Sequence, residues 1–306
     1  MDRILVIGAG GQLGTELTKA LAHKYGNDNI IATDFQDAMK NKFEYCSFQT
    51  LNVMDKPALE KIVEKEKVTQ IYHLAAILSA SGEQHPLQAW DLNMGGLLNV
   101  LEIARDHKIE KVFWPSSIAV FGPHSDKQNT PQQSFKDPNT VYGISKLAGE
   151  HWCEYYFNKY GVDIRSVRYP GLIGYKSLAG GGTTDYAVDI YHKAVNEENF
   201  VCFLSAHTYL PMMYMEDAIN ATLQLMDAPK ENISIRTSYN LAGISFSPKE
   251  IFESIRKQVP GFEIKYQPDF RQAIADSWPD SIDDSCARSD WGWKPSYDLD
   301  GMTQAI

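Results

Sequence analysis

Ser117, Tyr142 and Lys146 are the residues whose types and spacing point to chemistry in this chain. A tyrosine and a lysine four apart lie on one helix face, one turn from each other. An ammonium beside a phenol favours the phenolate and lowers the tyrosine pKa from its usual ~10. That makes the phenol a usable proton acceptor near neutral pH. A serine hydroxyl nearby can hold a substrate oxygen, so the set suits taking a proton from an alcohol as it becomes a ketone. The pair pattern also occurs at Tyr155 and Lys159. Thirteen residues separate the two tyrosines, which is roughly 220° around a helix. The two cannot face one site, so the elements around them must choose.

Those elements alternate through the first half. Apolar runs at Arg3–Ile7, Asn29–Asp34, Cys46–Val53, Gln70–Ala76, Lys111–Ser116 and Ile164–Tyr169 read as strands. Helical periodicity covers Gln12–His23, Lys56–Lys65, Pro86–Asp106 and Thr140–Lys159. This rhythm predicts an α/β fold with a doubly wound parallel sheet. After Tyr169 it breaks. Leu178–Thr184 is rich in glycine and threonine, and helices are expected over Asp185–Val195, Glu216–Met226 and Pro248–Lys257, the last capped by Ser247. Tyr239–Leu241 reads as a strand that rejoins the sheet. The expected division is a Rossmann-type dinucleotide-binding half over 1–172, with returning segments near 214–243, and a smaller interleaved lobe over 173–213 and 244–306.

Bulk properties narrow the classes. The chain has 306 residues and a net charge of −10, which argues against nucleic acid or an anionic membrane as partner. No apolar run is long enough to span a membrane, and Met1-Asp2-Arg3 enters the first strand without a signal-peptide core. Cys46, Cys153, Cys202 and Cys286 are scattered, with no Cys-x-x-Cys and no histidine cluster at metal spacing. Free thiols in a reducing, cytoplasmic compartment and no metal are expected.

Gly8-Ala9-Gly10-Gly11-Gln12-Leu13-Gly14 follows the first strand and opens the first helix. Gly8, Gly11 and Gly14 permit a tight turn and close approach of a pyrophosphate to the helix N-terminus. Asp34 ends the second strand 20 residues after Gly14. Its carboxylate suits an adenosine ribose and repels a 2′-phosphate, which favours NAD over NADP. Asn52 and Val53 end the third strand, where an adenine would lie. Leu74, Ala75 and Ala76 end the fourth, where small residues let the backbone approach a cofactor. Ser116 and Ser117 end the fifth, at the same edge. Tyr142, 25 residues after Ser117 and at the start of the next helix, is thereby preferred over Tyr155.

These segments, with Ser117-x-x-x-Phe121-Gly122 and Arg168-Tyr169-Pro170-Gly171, resemble the extended short-chain dehydrogenase/reductase family. Within it the chain is most similar to the NAD-dependent L-threonine 3-dehydrogenases of the short-chain type, through Pro115–Gly122, Gly181–Tyr186, Leu210–Met215, Trp278-Pro279 with Ile282–Asp284, and Asp290–Trp293. The resemblance implies oxidation of L-threonine at C3 to 2-amino-3-ketobutyrate, with Tyr142 as base, Ser117 on the same oxygen, and Lys146 on the phenol and nicotinamide ribose. It implies a water relay at Asn93 and nicotinamide contacts at Tyr169 and Leu172. Substrate contacts are expected at Ser81, Thr183, Thr184 and Trp278, although the threonine pair can instead cap the next helix and Trp278 can be core. It further implies a homodimer packed through the helices at 86–106 and 140–159.

The rival is a sugar-nucleotide epimerase or dehydratase. Ile118-Ala119 follows Ser117 where dehydratases carry acids, and Tyr169-Pro170-Gly171 stands where epimerases commonly carry Tyr-Phe-Asn. A sugar diphosphate also wants arginines in the lobe, and none occurs between Tyr169 and Ile235. Arg236, Arg256, Arg271 and Arg288 come later and keep this rival open. A cofactor-sensing regulator is disfavoured because the serine, tyrosine and lysine are all present.

Overall fold

The structure is a computed structural model describing residues 2–306. In chain order it runs β1 (Ile4–Ile7), α1 (Gln12–Tyr25), β2 (Ile30–Asp34), β3 (Ser47–Thr50), α2 (Lys56–Glu66), β4 (Gln70–His73), α3 (Ser79–Gln84), α4 (Pro86–Asp106), β5 (Lys111–Phe113), β6 (Ser116–Ser117) and α5 (Val141–Tyr160). It continues through β7 (Ile164–Arg165), β8 (Val167–Tyr169), β9 (Gly171–Ile173), α6 (Tyr186–Val195), β10 (Phe200–Cys202), β11 (Leu210–Tyr214), α7 (Met215–Asp227), β12 (Tyr239–Asn240), β13 (Ile244–Phe246), α8 (Pro248–Gln258), β14 (Ile264–Tyr266), α9 (Arg271–Ala275), α10 (Ser285–Trp291) and α11 (Leu299–Ala305).

The main sheet has six parallel strands in the order β3-β2-β1-β4-β5-β7. The reversal at β1 makes a crevice at the carboxyl ends of the strands, where ligands bind in such sheets. β1 and β2 are buried along their whole length, which is why they read as unbroken apolar runs. The expected fifth and sixth strands are each interrupted. Pro115 has no N–H to donate to a ladder, and after the break Ser116 and Ser117 pair with Arg168 and Tyr169. β12 pairs in parallel with β8, so the Tyr239 strand joins not the six-stranded sheet but the three-stranded sheet β12-β8-β6 that continues its interrupted strands.

Local signals set the helix ends. Asp55 accepts the Ala58 N–H to start α2, and Thr140 accepts the Gly143 N–H to start α5. Ser247 and Glu250 form a capping box at α8. α5 stops at Gly161, where φ is +75°.

The lobe carries β13-β11-β9 and the pair β10-β14. These short strands, with α3, α9, α10 and α11, are absent from the sequence expectations, because elements of two to seven residues show no periodicity. The division also differs in one place. Ala287 and Trp293 are buried in the cluster built from β1, α1 and α7, so the segment around α10 returns to the dinucleotide-binding half, while Tyr297, Leu299 and Met302 pack back into the lobe cluster. Trp293 is fully buried and its indole N–H donates to Asp284 at 2.9 Å. Trp293→Ala is expected to lower unfolding free energy by about 3–5 kcal/mol, read by urea denaturation of both proteins.

Candidate active site

A cavity of about 460 Å³ lies between the glycine turn, the start of α5 and the lobe. At one end is the phosphate-sized cradle. Gly8 has φ +81°, and a Cβ there would meet Ala75 at 2.7 Å. A Cβ on Gly14 would sit 2.3 Å from the Gly8 carbonyl oxygen, so α1 can start close beneath β1 only with glycine at this position. No side chain caps α1 and its first turn holds no acid, which leaves its N–H groups for an anion. The Gln12 amide nitrogen is buried without a partner at the same place. Asp34 accepts the Gly10 N–H at 3.0 Å and the Gln36 N–H at 3.1 Å, one on each oxygen, and each oxygen keeps lone pairs for ribose hydroxyls. An orphaned amide, an uncapped helix start and a carboxylate at the second strand end fit NAD. Gly8, Gly11, Gln12, Leu13 and Gly14 would hold its pyrophosphate.

Gly11, Gln12, Leu13, Leu74, Ala76, Ser116, Ser117, Tyr142, Lys146, Tyr169, Leu172, Ser81, Thr183, Thr184 and Trp278 are brought to this one cavity. Five expected cofactor residues are not on its wall: Asp34, which lies behind the glycine turn on the Gly10 N–H, and four more. Val53 is buried against α4, where a Cβ on Gly96 would meet it at 2.9 Å. Asn52 is exposed and closes a turn onto the Met54 N–H. Asn93 accepts the Ile77 N–H and donates to the Ile77 carbonyl and to Ser145, so it clamps the segment after β4. Ala75 packs behind Gly8.

The reacting end is built by α5 lying close to the Ser117 strand. A Cβ on Gly143 would be 2.1 Å from the Ala119 carbonyl oxygen, so that approach needs glycine. Ser117 accepts the Ala119 N–H at 3.2 Å and keeps its own proton to donate, to the Tyr142 oxygen or to an oxygen entering the cavity. Lys146 is buried and donates to the Pro115 carbonyl at 2.6 Å, with its ammonium 4.5 Å from the Trp114 ring centroid and 5.5 Å from that of Tyr142.

The expected depression of the tyrosine pKa is not what the protein's own groups produce. Burial pushes the Tyr142 phenol up to about 12, opposed by a hydrogen bond from Ser117. Burial also lowers Lys146 to about 7, opposed by Cys153 and Glu150. The reason is geometric: the ammonium rests on a backbone carbonyl beside the ring, and loss of water outweighs its field. By contrast, the Lys159 ammonium does donate to the Tyr155 hydroxyl, at 2.5 Å, but on exposed surface away from the cavity.

Substrate-side expectations divide. The Trp278 ring is core, yet its indole N–H is buried without a partner and the residue lines the cavity. The Thr183 hydroxyl is engaged by Ser79 at 3.1 Å, and Ser81 leans on the Gly181 carbonyl. Neither threonine caps α6; the Asp185 carboxylate instead accepts the Gly181 and Gly182 N–H groups, both at 2.7 Å. Sequence reasoning missed Ser79 and Asp185; an acid three and four residues after consecutive glycines was the available signal. The Tyr169 hydroxyl is paired with that of Thr222 beside the Ala218 carbonyl, leaving its ring to the cavity. All four cysteines are free thiols. Away from the cleft, Glu60, Glu64 and His107 bring ligand atoms within 4.8 Å, but His107 is already paired with Glu60 at 2.9 Å. Among the described residues no helix is long and apolar enough to cross a membrane.

The class that this cradle and triad define is also found by comparison. Residues 4–242 match the NAD dependent epimerase/dehydratase family, and the chain belongs to it. NAD is the cofactor of that family. A curated relative from Staphylococcus saprophyticus, described as an uncharacterized epimerase/dehydratase, is 50% identical over all of this chain and 96% of its own. The solved GalE-like L-threonine dehydrogenase from Cupriavidus necator, in its holo form, is 55% identical, covers 99% of this chain and 98% of its own, and superposes with a TM-score of 0.97. A monomeric L-threonine 3-dehydrogenase from a metagenome, in apo form, is 49% identical over 99% of this chain and 96% of its own, with a TM-score of 0.95.

His73, at the end of β4, is fully buried with both ring nitrogens unpartnered, and burial lowers it from 6.5 to about 3. Above pH 6.5 it is neutral folded and unfolded; below, only the unfolded chain takes the proton until about 3. Stability is therefore expected to fall as pH drops through that window. His73→Gln should flatten this slope in denaturant titrations run at a series of pH values.

Proposed function

We propose that this chain is an L-threonine 3-dehydrogenase that oxidises the C3 hydroxyl to the ketone of 2-amino-3-ketobutyrate. The observation that carries the reading is the make-up of the substrate wall. Ser81, Thr184 and the free Trp278 indole N–H offer a few polar groups for a small zwitterion, and no arginine lines the cavity. The later arginines are engaged elsewhere: Arg236 with Asp163, Arg271 with Asp269 and Arg288 with Asp284, while Arg256 lies over Phe252. A sugar diphosphate would find only Lys146 as a cation. The two solved dehydrogenases similar over the full length, lobe included, support the same substrate.

In this reading Ser117 donates to the C3 oxygen and Tyr142 takes the hydroxyl proton on its phenolate oxygen. When bound, NAD supplies the hydride acceptor, nicotinamide C4, and a positive ring whose field opposes the desolvation of the phenolate. Lys146 adds its charge from the Pro115 side and is within the same wall for the ribose. Tyr169 and Leu172 flank the site and exclude water from it.

Threonine with NAD is expected to generate NADH; no NADH from threonine, together with interconversion of UDP-hexose epimers without net NADH, would overturn the reading in favour of an epimerase. Tyr142→Phe should lower kcat by about 10²–10⁴ and leave NAD binding, followed by fluorescence titration, intact. Because the phenol must lose its proton, the wild-type rate should rise with pH and that of the phenylalanine variant should not.

Self-association belongs to the same reading. α4 leaves Leu87 and Trp90 exposed, and α5 leaves Ile144, Trp152, Tyr155 and Tyr160. Light scattering should give a dimer that Trp152→Glu splits. A monomeric wild type, as the metagenome relative is described, would remove this part and leave the catalysis untouched.

A further inference from the structure

Trp278 presents the cavity with a buried indole N–H from a ring packed in the lobe core, yet few hydrogen bonds within the lobe fix the turn that carries it. Its own backbone N–H donates to Ala275 at 3.0 Å, which ties it only to the end of α9. The long-range restraint comes from the other half. Lys127 lies in the connection between Ser117 and α5, and its ammonium donates to the carbonyls of Asp276 at 2.5 Å and Trp278 at 2.7 Å. Those carbonyls follow the last turn of α9, where a helix leaves unpaired acceptors that a cation satisfies. The Lys127 carbonyl in turn accepts the Asp280 N–H at 2.8 Å. Beyond it, Thr130 and Ile282 form a parallel bridge, with the Thr130 N–H on Ser281 and the Asp283 N–H on Thr130, both at 3.0 Å. The backbone pairing thus begins at Asp280. For Asp276 to Trp278 the long-range bonds are those from Lys127 and one from Ser277 to Asn139 at 3.2 Å.

We propose that Lys127 is a positioning residue for Trp278 and thereby sets the substrate affinity of the site. It does not line the cavity. It registers the indole to the connection leading from Ser117, so the wall that meets the substrate follows the catalytic strand and not the lobe alone. The proposal rests on the threonine reading for its kinetic arm only.

In the whole enzyme, Lys127→Met is expected to raise the threonine KM about tenfold, with kcat and NAD affinity within about twofold of wild type. Lys127→Arg should restore most of the loss, because a guanidinium also donates to two carbonyls. In a Trp278→Phe background the methionine substitution should add little. A KM change of the same size in both backgrounds would show that Lys127 does not act through Trp278. The second arm needs no substrate. In protein labelled with 5-fluorotryptophan, the fluorine resonance of Trp278, assigned by its loss in Trp278→Phe, should shift or broaden in Lys127→Met and recover in Lys127→Arg. A resonance unmoved in folded Lys127→Met, or in Lys127→Gln if the methionine variant does not fold, overturns the proposal. A chain silent toward threonine whose resonance still answers to Lys127 would sink the substrate reading and support the clamp.

Discussion

The buried ion pair between Arg168 and Glu150 holds the reacting end together. Both side chains are about 1% exposed, and the guanidinium meets the carboxylate with two bonds of 2.8 Å. Taking both charges from water is costly, and only close geometry with every remaining group bonded offsets it. Here the remaining groups are bonded. Glu150 also accepts from Ser116 at 2.6 Å, and Arg168 donates to the Gln132 carbonyl and to Asn240. The pair therefore joins α5, β6, β8, β12 and the connection before α5. Tyr142 and Lys146 lie two turns and one turn before Glu150 on α5, and Ser117 follows Ser116. The spacing of the triad is set beneath the cavity floor.

That arrangement accounts for the electrostatics above it. With Glu150 consumed by Arg168 and Ser116, Lys146 has no carboxylate in contact and rests on a backbone carbonyl. A buried ammonium whose only direct hydrogen-bond partner is a carbonyl titrates low, although Cys153 and Glu150 oppose the shift. The phenol, equally dry, titrates high. These shifts leave the tyrosine protonated and the lysine near its midpoint at neutral pH, a pair poised to respond to charge entering the cleft. The exposed Tyr155–Lys159 pair shows the opposite case. Its lysine contacts the hydroxyl directly and lowers its pKa, but water surrounds it and no strand end or glycine turn faces it. Position relative to the sheet edge separates a site from a matching pattern.

The parallel sheet, the glycine turn and the triad were legible because each follows from strong local constraints. β1 must be apolar on both faces, Gly14 admits no Cβ, and the Thr140 cap fixes where α5 begins. Four things were not legible. The pKa of Tyr142 depends on desolvation, which a spacing of four does not encode. Val53, at a strand end, suggested ligand contact, and Asn93 took a water-relay role from the family resemblance, but their partners, Gly96 and Ile77, are tertiary. The return of Trp293 to the first core is likewise invisible in a segment without periodicity. Arg168 was visible as part of a motif, while its pairing with Glu150, 18 residues earlier, was not.

The substrate wall is assembled from both halves, and this shapes what selectivity can mean here. Ser79 and Ser81 come from the segment after β4 and meet Thr183 and Gly181 of the lobe. Asp185 gathers the glycine backbone beneath them. On the opposite side the Lys127 connection meets the turn of Trp278. Two polar seams therefore hold the lobe to the sheet half, one through the hydroxyls of Ser79 and Ser81 and one through the Lys127 ammonium. Such contacts are directional, so they fix distance across the cleft more tightly than apolar packing does. In the proposed threonine reading the substrate is small, and the cleft width that receives it is set at those seams.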